Sequence, residues 1–209
     1  FLFDTATATF LTKHINDCHD PLLRGILWIN MYENMINGTV TPADFCTTAF
    51  EALKTEDDLQ LRNYLAGRIS SVYWNYLPDS TRHITAPDDE IMVWQKIVSA
   101  ESAAEKRQWF SFFRNIVITG NGLEQLKNVW RRAELPGDIK LSEDEQCTLA
   151  LTLELKGYPG AEEIIAAQCE RITSGDRLQR FEFVIPSVSD DPTVRDAFFN
   201  SLRDPAGRE

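Results

Sequence analysis

Basic residues are few in this sequence relative to acidic ones. The chain of 209 residues contains 21 Lys and Arg against 32 Asp and Glu, which gives a formal net charge of −11 at pH 7. Because phosphate binding needs a basic surface, this balance argues against a nucleic-acid partner. The sequence also lacks any run of about eighteen apolar residues, so we expect no membrane segment in it. The sequence does not begin with the charged and then apolar residues of a signal peptide. Any targeting signal would therefore lie outside this sequence, and the compartment stays unknown.

Residues that bind metals are scarce and dispersed. His14, His19 and His83 are the only histidines, and none stands in an H-E-x-x-H pattern. The cysteines form no C-x-x-C pair, which predicts free thiols rather than a zinc knuckle or a disulfide framework. The four cysteines are Cys18, Cys46, Cys147 and Cys169. We therefore expect neither a metal site nor a cofactor within this chain.

What the sequence does contain is a series of clearly marked helices. In the first strong example, Asp20 is a suitable N-cap and Pro21 fits the first helical position. Asn37 and Gly38 tolerate the left-handed turn that ends a helix. Apolar side chains between these ends fall on nearly all sides, so we expect this helix to be sandwiched between others.

Two later stretches break the helical pattern. The cleanest helical period, over residues 56–77, ends at a Pro-Asp-Ser sequence, after which we expect an irregular link through His83 and Pro87. Gly120-Asn121-Gly122 is the strongest turn signal in the chain, and we expect a short helix to follow it and to close at Pro136-Gly137.

One apolar run has two interpretations. Its leucines alternate as they would in a strand. Ser142 and Glu145 form a capping box before the run, and Gly157 is placed as a C-cap after it. These caps favour a helix, while the alternation leaves a strand open. The alternating residues are Leu149, Leu151, Leu153 and Leu155.

The pattern as a whole predicts an all-α fold. About ten helices joined by short turns recur at roughly the forty-residue period of paired-helix solenoids. We therefore predict an α-α superhelix of HEAT/armadillo-like antiparallel helix pairs, forming a single domain over residues 1–209. Asp-Pro pairs at Asp20, Asp191 and Asp204 fit degenerate HEAT repeats, although Asp-Pro is also a good helix start anywhere. Because the chain begins at Phe1 rather than at Met, and ends on what looks like another helix start, we expect a fragment from the C-terminal part of a longer chain.

Several stretches resemble a known family. Residues 20–28, 37–40, 72–78 and 180–202 are similar to the C-terminal helical domain of aminopeptidase N-type zinc metallopeptidases. This domain is also called the endoplasmic-reticulum-aminopeptidase-like C-terminal domain. The similarity covers essentially the whole chain and rests on helix spacing and on scattered aromatic and Arg positions. It implies a superhelical bowl that covers a separate zinc-dependent catalytic domain and encloses the chamber where peptides lose their N-terminal residue.

The resemblance implies a non-catalytic role in peptide access and length selection. Its implied partners are the catalytic domain of the same parent chain, where zinc is expected, and peptide substrates. No catalytic residue can be assigned here, because the family's H-E-x-x-H and G-x-M-E-N motifs are both missing. Residues 30–34 only look like the second motif, since they lack its leading glycine and have Tyr32 in place of Met.

Three arginines are the candidate substrate-binding residues. If Arg24, Arg68 and Arg177 face the bowl, they can meet a peptide carboxylate, which a guanidinium binds through paired hydrogen bonds. The alternative is that they form ordinary surface ion pairs. A second interpretation of the whole chain is a free-standing HEAT-like scaffold that binds a protein partner on its concave face. An upstream reading frame that encodes both catalytic motifs would favour the aminopeptidase interpretation.

Overall fold

Residues 1–203 are described in a computed structural model, and 77% of them are helical. This range contains eleven α-helices, and its only strands are two of two residues each. Successive helices pack against each other, so the all-α prediction is confirmed. No helix within residues 1–203 is both long and apolar enough to cross a lipid bilayer. The Asp-Pro pair at Asp204 lies outside the described residues.

The chain divides into two compact units, of which the first is Phe1–Val117 and the second begins at Ile118. The single superhelical domain over residues 1–209 stays a prediction. The helices of the first unit are α1 (Thr5–His14), α2 (Pro21–Ile36), α3 (Pro42–Thr55), α4 (Leu59–Asn75), α5 (Asp79–Ser99) and α6 (Ala103–Ile116). A 3-10 turn at Ile15–Asp17 follows α1.

The first unit is built around large aromatic side chains. Trp28 and Phe45 are fully buried and meet edge to face, with ring centroids 5.8 Å apart. Tyr73 and Phe113 are buried in the same unit. Burial of a side chain of this size contributes on the order of 2–3 kcal/mol, so these residues hold α2, α3, α4 and α6 in place.

α2 begins and ends where the sequence predicts. Asp20 accepts hydrogen bonds from the N–H groups of Leu22 and Leu23, and Pro21 is the first helical residue. The prediction that α2 is sandwiched is wrong, because α2 packs against α3, α4 and the 3-10 turn at Ile15–Asp17 while one of its apolar faces stays exposed. This face carries an apolar stripe that is 44–75% exposed. The stripe consists of Leu22, Ile26, Ile29 and Ile36.

The irregular link predicted around His83 and Pro87 is also wrong, because α5 runs through both residues. The turns around Pro87 bury Ala86, Glu90 and Val93, which are spaced as one helical face. Pro87 itself is exposed, so the carbonyl that loses its helical N–H partner can be hydrated instead. Packing of the buried face therefore outweighs the local effect of the proline.

Up to residue 203, the second unit contains five helices and a small hairpin. Its elements are α7 (Gly120–Arg132), β1 (Glu134–Leu135), β2 (Ile139–Lys140), α8 (Glu143–Leu155), α9 (Ala161–Arg171), α10 (Gly175–Val184) and α11 (Pro192–Ser201). A 3-10 turn at Ile185–Val188, which contains Pro186, follows α10. α8 packs against both α7 and α9.

The alternating leucine run is helical. Ser142 and Glu145 exchange both hydrogen bonds of a capping box, which fixes the first turn of α8. Leu149 and Leu153 are buried four residues apart, whereas Leu155 is 64% exposed. The side chains thus follow the helical spacing.

One predicted turn is helical, and one hairpin was not predicted. Gly120-Asn121-Gly122, predicted as a turn, is the first turn of α7, where the Thr119 hydroxyl accepts from the Gly122 N–H. The hairpin of β1 and β2 was not predicted. Its turn has Gly137 and Asp138 at φ of 87° and 58°, and β1 pairs antiparallel with β2 through Leu135 and Ile139.

Candidate functional site

The three candidate arginines lie in different surroundings. Arg24 is in α2 and Arg68 in α4, both in the first unit, whereas Arg177 is in α10 of the second. Among the described residues, no two of them share a contacting side chain. The three arginines therefore differ in the charge of the side chains around them. This charge decides what each guanidinium can bind.

Three nitrogens of the Arg24 guanidinium already donate hydrogen bonds within the protein. Its Nε donates to Oε2 of Glu56 at 2.6 Å, its Nη2 donates to Oε1 at 2.7 Å, and its Nη1 donates to the Cys18 carbonyl at 2.7 Å. The Glu56 side chain is only 3% exposed. Burial alone would raise the pKa of Glu56, but the hydrogen bonds from Arg24 and from the Asp58 N–H outweigh it and lower the pKa. This geometry favours a structural role for Arg24.

Arg177 forms a surface ion pair. Its Nη1 lies 3.3 Å from Oε1 of Glu143 and 3.9 Å from Oδ1 of Asp144, and half of its side chain is exposed. Exposed pairs of this kind contribute roughly 0–1 kcal/mol because water screens them. Arg177 thus retains access to solvent but carries local acidic partners.

Arg68 is partnered by rings instead of acids. Its guanidinium carbon lies 4.6 Å from the ring centroid of Tyr32 and 5.1 Å from that of Tyr64. Within residues 1–203, no carboxylate lies within ion-pair distance of Arg68. We call these three residues the tyrosine–arginine cluster. Its positive charge is partly buried and is not neutralised by the described part of the chain.

Two neighbouring helices position the tyrosine–arginine cluster. Tyr64 and Arg68 stand four residues apart on α4, so their side chains share one face of that helix. Tyr32 comes from α2, which packs against α4. The Tyr32 ring also meets the buried Phe45 ring, with centroids 5.8 Å apart. The site is therefore anchored to the core and lies on regular helices.

The charges of the cluster are fixed near neutral pH. Burial raises the pKa of Tyr64 above its ordinary value, although the positive charge of Arg68 opposes the rise, so the hydroxyl stays protonated. Burial opposes the charge of Arg68, but the hydrogen bond and charge contributions of Tyr32 and Tyr64 outweigh it and raise its pKa. A charged guanidinium beside two phenol hydroxyls provides donors suited to a carboxylate.

Arg68 was predicted as a binding residue from the sequence, but Tyr32 and Tyr64 were not. In the sequence, Tyr32 stood out only as one of the apolar side chains of α2 and as a departure from the G-x-M-E-N motif. The spacing of Tyr64 and Arg68 was an available signal for a helical pair. The contact of Arg68 with Tyr32 joins two helices, and no local pattern could indicate it.

Two of the histidines contact acidic residues that are close to them in the sequence. His14 contacts Asp17 at 2.9 Å, and His83 lies 3.5 Å from Asp79, each within its own helical neighbourhood. In the described part of the chain, no three His, Cys, Asp or Glu side chains come together in a way that could hold a metal ion.

Comparison with known proteins adds no relative. The chain matches no protein-family model and no curated protein sequence. The resemblance to aminopeptidase C-terminal domains therefore rests on the residues quoted for it and stays a hypothesis.

Proposed function

We propose that this chain is a non-catalytic helical domain of a zinc aminopeptidase, which covers the active-site chamber and contributes to peptide access and length selection. Zinc and the catalytic residues belong to another domain of the parent chain in this proposal. The resembling stretches and the all-α architecture with packed successive helices support it. The partners are then the catalytic domain and the peptide substrate.

The observation that carries the proposal is the tyrosine–arginine cluster. Arg68 holds a partly buried positive charge that no carboxylate of the described chain neutralises. A peptide that is being shortened from its N-terminus carries a free carboxylate at its far end. That carboxylate can accept hydrogen bonds from the guanidinium and from the hydroxyls of Tyr32 and Tyr64. Contacts remote from the reacting bond raise the rate for substrates long enough to make them.

Steady-state kinetics on the parent enzyme test this function. Arg68→Gln should lower kcat/KM for a nonapeptide by about tenfold, because one charged contact is lost, and should leave a single-residue anilide unchanged. Arg177→Gln removes the same charge from an acidic surface and should change neither value by more than about twofold. Deletion of the whole domain should abolish the dependence of kcat/KM on peptide length. An unchanged length profile in the deletion would reject the chamber role.

Direct binding to the 209-residue chain provides a second test. A nonapeptide with a free C-terminal carboxylate should bind more tightly than the same peptide as a carboxamide. Arg68→Gln should remove this difference, and Arg177→Gln should keep it. Equal binding of the acid and the carboxamide to the native chain would contradict a carboxylate contact at Arg68.

A second candidate function is a free-standing HEAT-like scaffold. The apolar stripe of α2 favours it, because exposed apolar surface of this kind is typical of protein interaction sites. The two candidate functions differ in whether a catalytic domain precedes this chain in the parent protein. An upstream reading frame that encodes H-E-x-x-H and G-x-M-E-N supports the aminopeptidase domain, and a frame with neither motif leaves the scaffold.

A further inference from the structure

An open groove lies between α3 and α5 in the first unit. One part has a volume of about 350 Å³ and is lined by residues that include Phe50, Leu77, Ile84 and Asp89. An adjoining part of about 470 Å³ continues along α5 past Ile91. Both parts share Lys54, Asp88 and Met92. We call this feature the α3–α5 groove, and each part is large enough for small-ligand or side-chain binding.

The groove offers apolar contacts that the described chain leaves uncovered. Ile84 is 78% exposed and Ile91 is 57% exposed, and their spacing of seven residues places both on one side of α5. Phe50, by contrast, is buried from solvent and forms part of the wall. Apolar side chains that entered the groove would cover Ile84 and Ile91 and gain favourable burial.

The groove also contains two acidic groups that form no ion pair within the described residues. Asp88 is exposed and Asp89 is half-buried, and neither forms an ion pair within residues 1–203. Lys54 lines the same groove, but its Nζ is paired with Glu51. Lys96 donates to the Lys54 carbonyl at 2.6 Å. The two lysines thus have contacts of their own, and within the described residues neither pairs with Asp88 or Asp89, although the charge of Lys54 and a hydrogen bond with Thr85 act on Asp89.

We propose that the α3–α5 groove binds a peptide segment that carries apolar side chains together with Lys or Arg. The apolar side chains cover Ile84 and Ile91, and the cationic group pairs with Asp88 and Asp89. Charge complementarity selects this occupant, because a second copy of a chain with net charge −11, or an anionic lipid surface, would meet like charge. The proposal is independent of the tyrosine–arginine cluster.

The state of Asp89 makes such binding depend on pH. Burial raises the pKa of Asp89 to about 6, and the neighbouring charge of Asp88 adds to the rise. Cys46 and Lys54 face it from α3 and Tyr73 from α4, while Asp88 and Glu90 are its charged neighbours on α5. A bound cation favours ionised Asp89, so affinity should increase as the pH rises through about 6.

Fluorescence anisotropy on the 209-residue chain tests the proposal. The probe is a labelled hexapeptide of alternating leucine and lysine, acetylated and amidated so that it offers no carboxylate to Arg68. A second probe has glutamate in place of lysine. The protein variants are the double substitution Asp88→Asn with Asp89→Asn, and Ile91→Ser. The matched control is Asp190→Asn with Asp196→Asn, which removes two exposed acids from the second unit.

The native chain should bind the lysine probe and not the glutamate probe in about 0.15 M salt. The double substitution at Asp88 and Asp89 should raise Kd by about tenfold or more, and Ile91→Ser should raise it severalfold. The control pair should keep Kd within about twofold of the native value. Equal losses in both double variants would show attraction to net charge alone and overturn the proposal. Failure of the native chain to bind the lysine probe, or equal binding of both probes, would overturn it as well.

Discussion

Arg24 and Arg68 are both partly buried arginines of the first unit, yet they face different neighbours. Arg24 meets a carboxylate that is almost inaccessible to water and holds it with two hydrogen bonds. Arg68 meets the rings of Tyr32 and Tyr64 and no acid of the described chain. The two arginines look alike in the sequence, and only the neighbouring helices distinguish them.

The charge of Arg24 therefore stabilises the fold, whereas the charge of Arg68 is available to a ligand. A buried pair is destabilised strongly when one partner is removed, because the remaining charge is left unpaired. A guanidinium between rings loses only modest cation–π contacts when it is removed. We therefore expect substitutions at the Arg24 pair to affect folding, and substitutions at Arg68 to affect binding.

The largest effect is expected for Glu56→Gln. It leaves Arg24 partly buried without its counter-ion and should lower the free energy of unfolding by about 3 kcal/mol at pH 7. Chemical denaturation followed by circular dichroism measures the loss. Glu51→Gln, which breaks the exposed pair with Lys54, is the matched control and should cost less than about 1 kcal/mol. Equal losses at the two positions would remove the distinction between a buried and an exposed pair.

The same pair predicts a dependence on acidity. The pKa of Glu56 is lowered in the folded protein, so its contribution is present above the pKa of the unfolded chain and is lost as the pH falls through the folded value. Stability of the native chain should therefore decrease on acidification more steeply than that of Glu56→Gln. Parallel pH profiles would show that Glu56 does not contribute to acid unfolding.

Asp89 extends the comparison to a half-buried carboxyl group that forms no ion pair within the described residues. Its pKa is raised from 3.8 to about 6, so the folded protein keeps a proton that the unfolded chain has lost, and stability falls as the pH rises across this range. Because part of the carboxyl remains in water, we expect Asp89→Asn to stabilise the chain by only about 1–2 kcal/mol at pH 7. The gain should disappear near pH 4, and denaturation at the two pH values measures it. A loss of stability at pH 7 would contradict the prediction that burial of the Asp89 carboxylate is unfavourable.

Arg68→Gln should change the free energy of unfolding by less than about 1 kcal/mol, because cation–π contacts at partly exposed sites are worth about 0.5–1 kcal/mol each and the substitution also relieves burial of a charge. Thermal denaturation of the 209-residue chain measures this, with Glu56→Gln as the positive control. A loss as large as that of Glu56→Gln would make Arg68 a structural residue and remove its candidacy as a binding group.

The limits of the sequence analysis follow from the same contrast. The starts of α2 and α8 depend on caps within a few residues of each helix, and both were predicted. The course of α5 through Pro87 depends on burial of Ala86 and Val93 against other helices, so local signals predicted it wrongly. The all-α fold was therefore predictable from local sequence signals, whereas the start of α5 depends on contacts with other helices.

The candidate site was predictable only in part. Arg24 was singled out, but its partner Glu56 is 32 residues away, and this distance hides the ion pair from any local pattern. Arg68 was singled out too, while Tyr32 reaches it from another helix. A charged residue in a helical stripe can thus be recognised from sequence, but its available charge depends on contacts that form only on folding.

The smallest effect is expected for Tyr64→Phe, which keeps the ring beside Arg68 and removes only the hydroxyl. Since the ring supplies the contact at 5.1 Å, the free energy of unfolding should change by less than about 0.5 kcal/mol. The hydroxyl would donate one hydrogen bond to a bound carboxylate, and a single such bond is worth about 0.5–1.5 kcal/mol, so the preference for peptide acid over carboxamide should decrease by about twofold to tenfold. Isothermal titration of the two nonapeptides into the native chain, Tyr64→Phe and Arg68→Gln measures the preference. Tyr76→Phe, which removes an exposed hydroxyl at the end of α4, is the matched control and should keep the native preference. If Tyr64→Phe keeps the full preference for the peptide acid and Arg68→Gln loses it, the carboxylate contact is restricted to the guanidinium. If the preference survives both substitutions, the tyrosine–arginine cluster does not bind the peptide carboxylate.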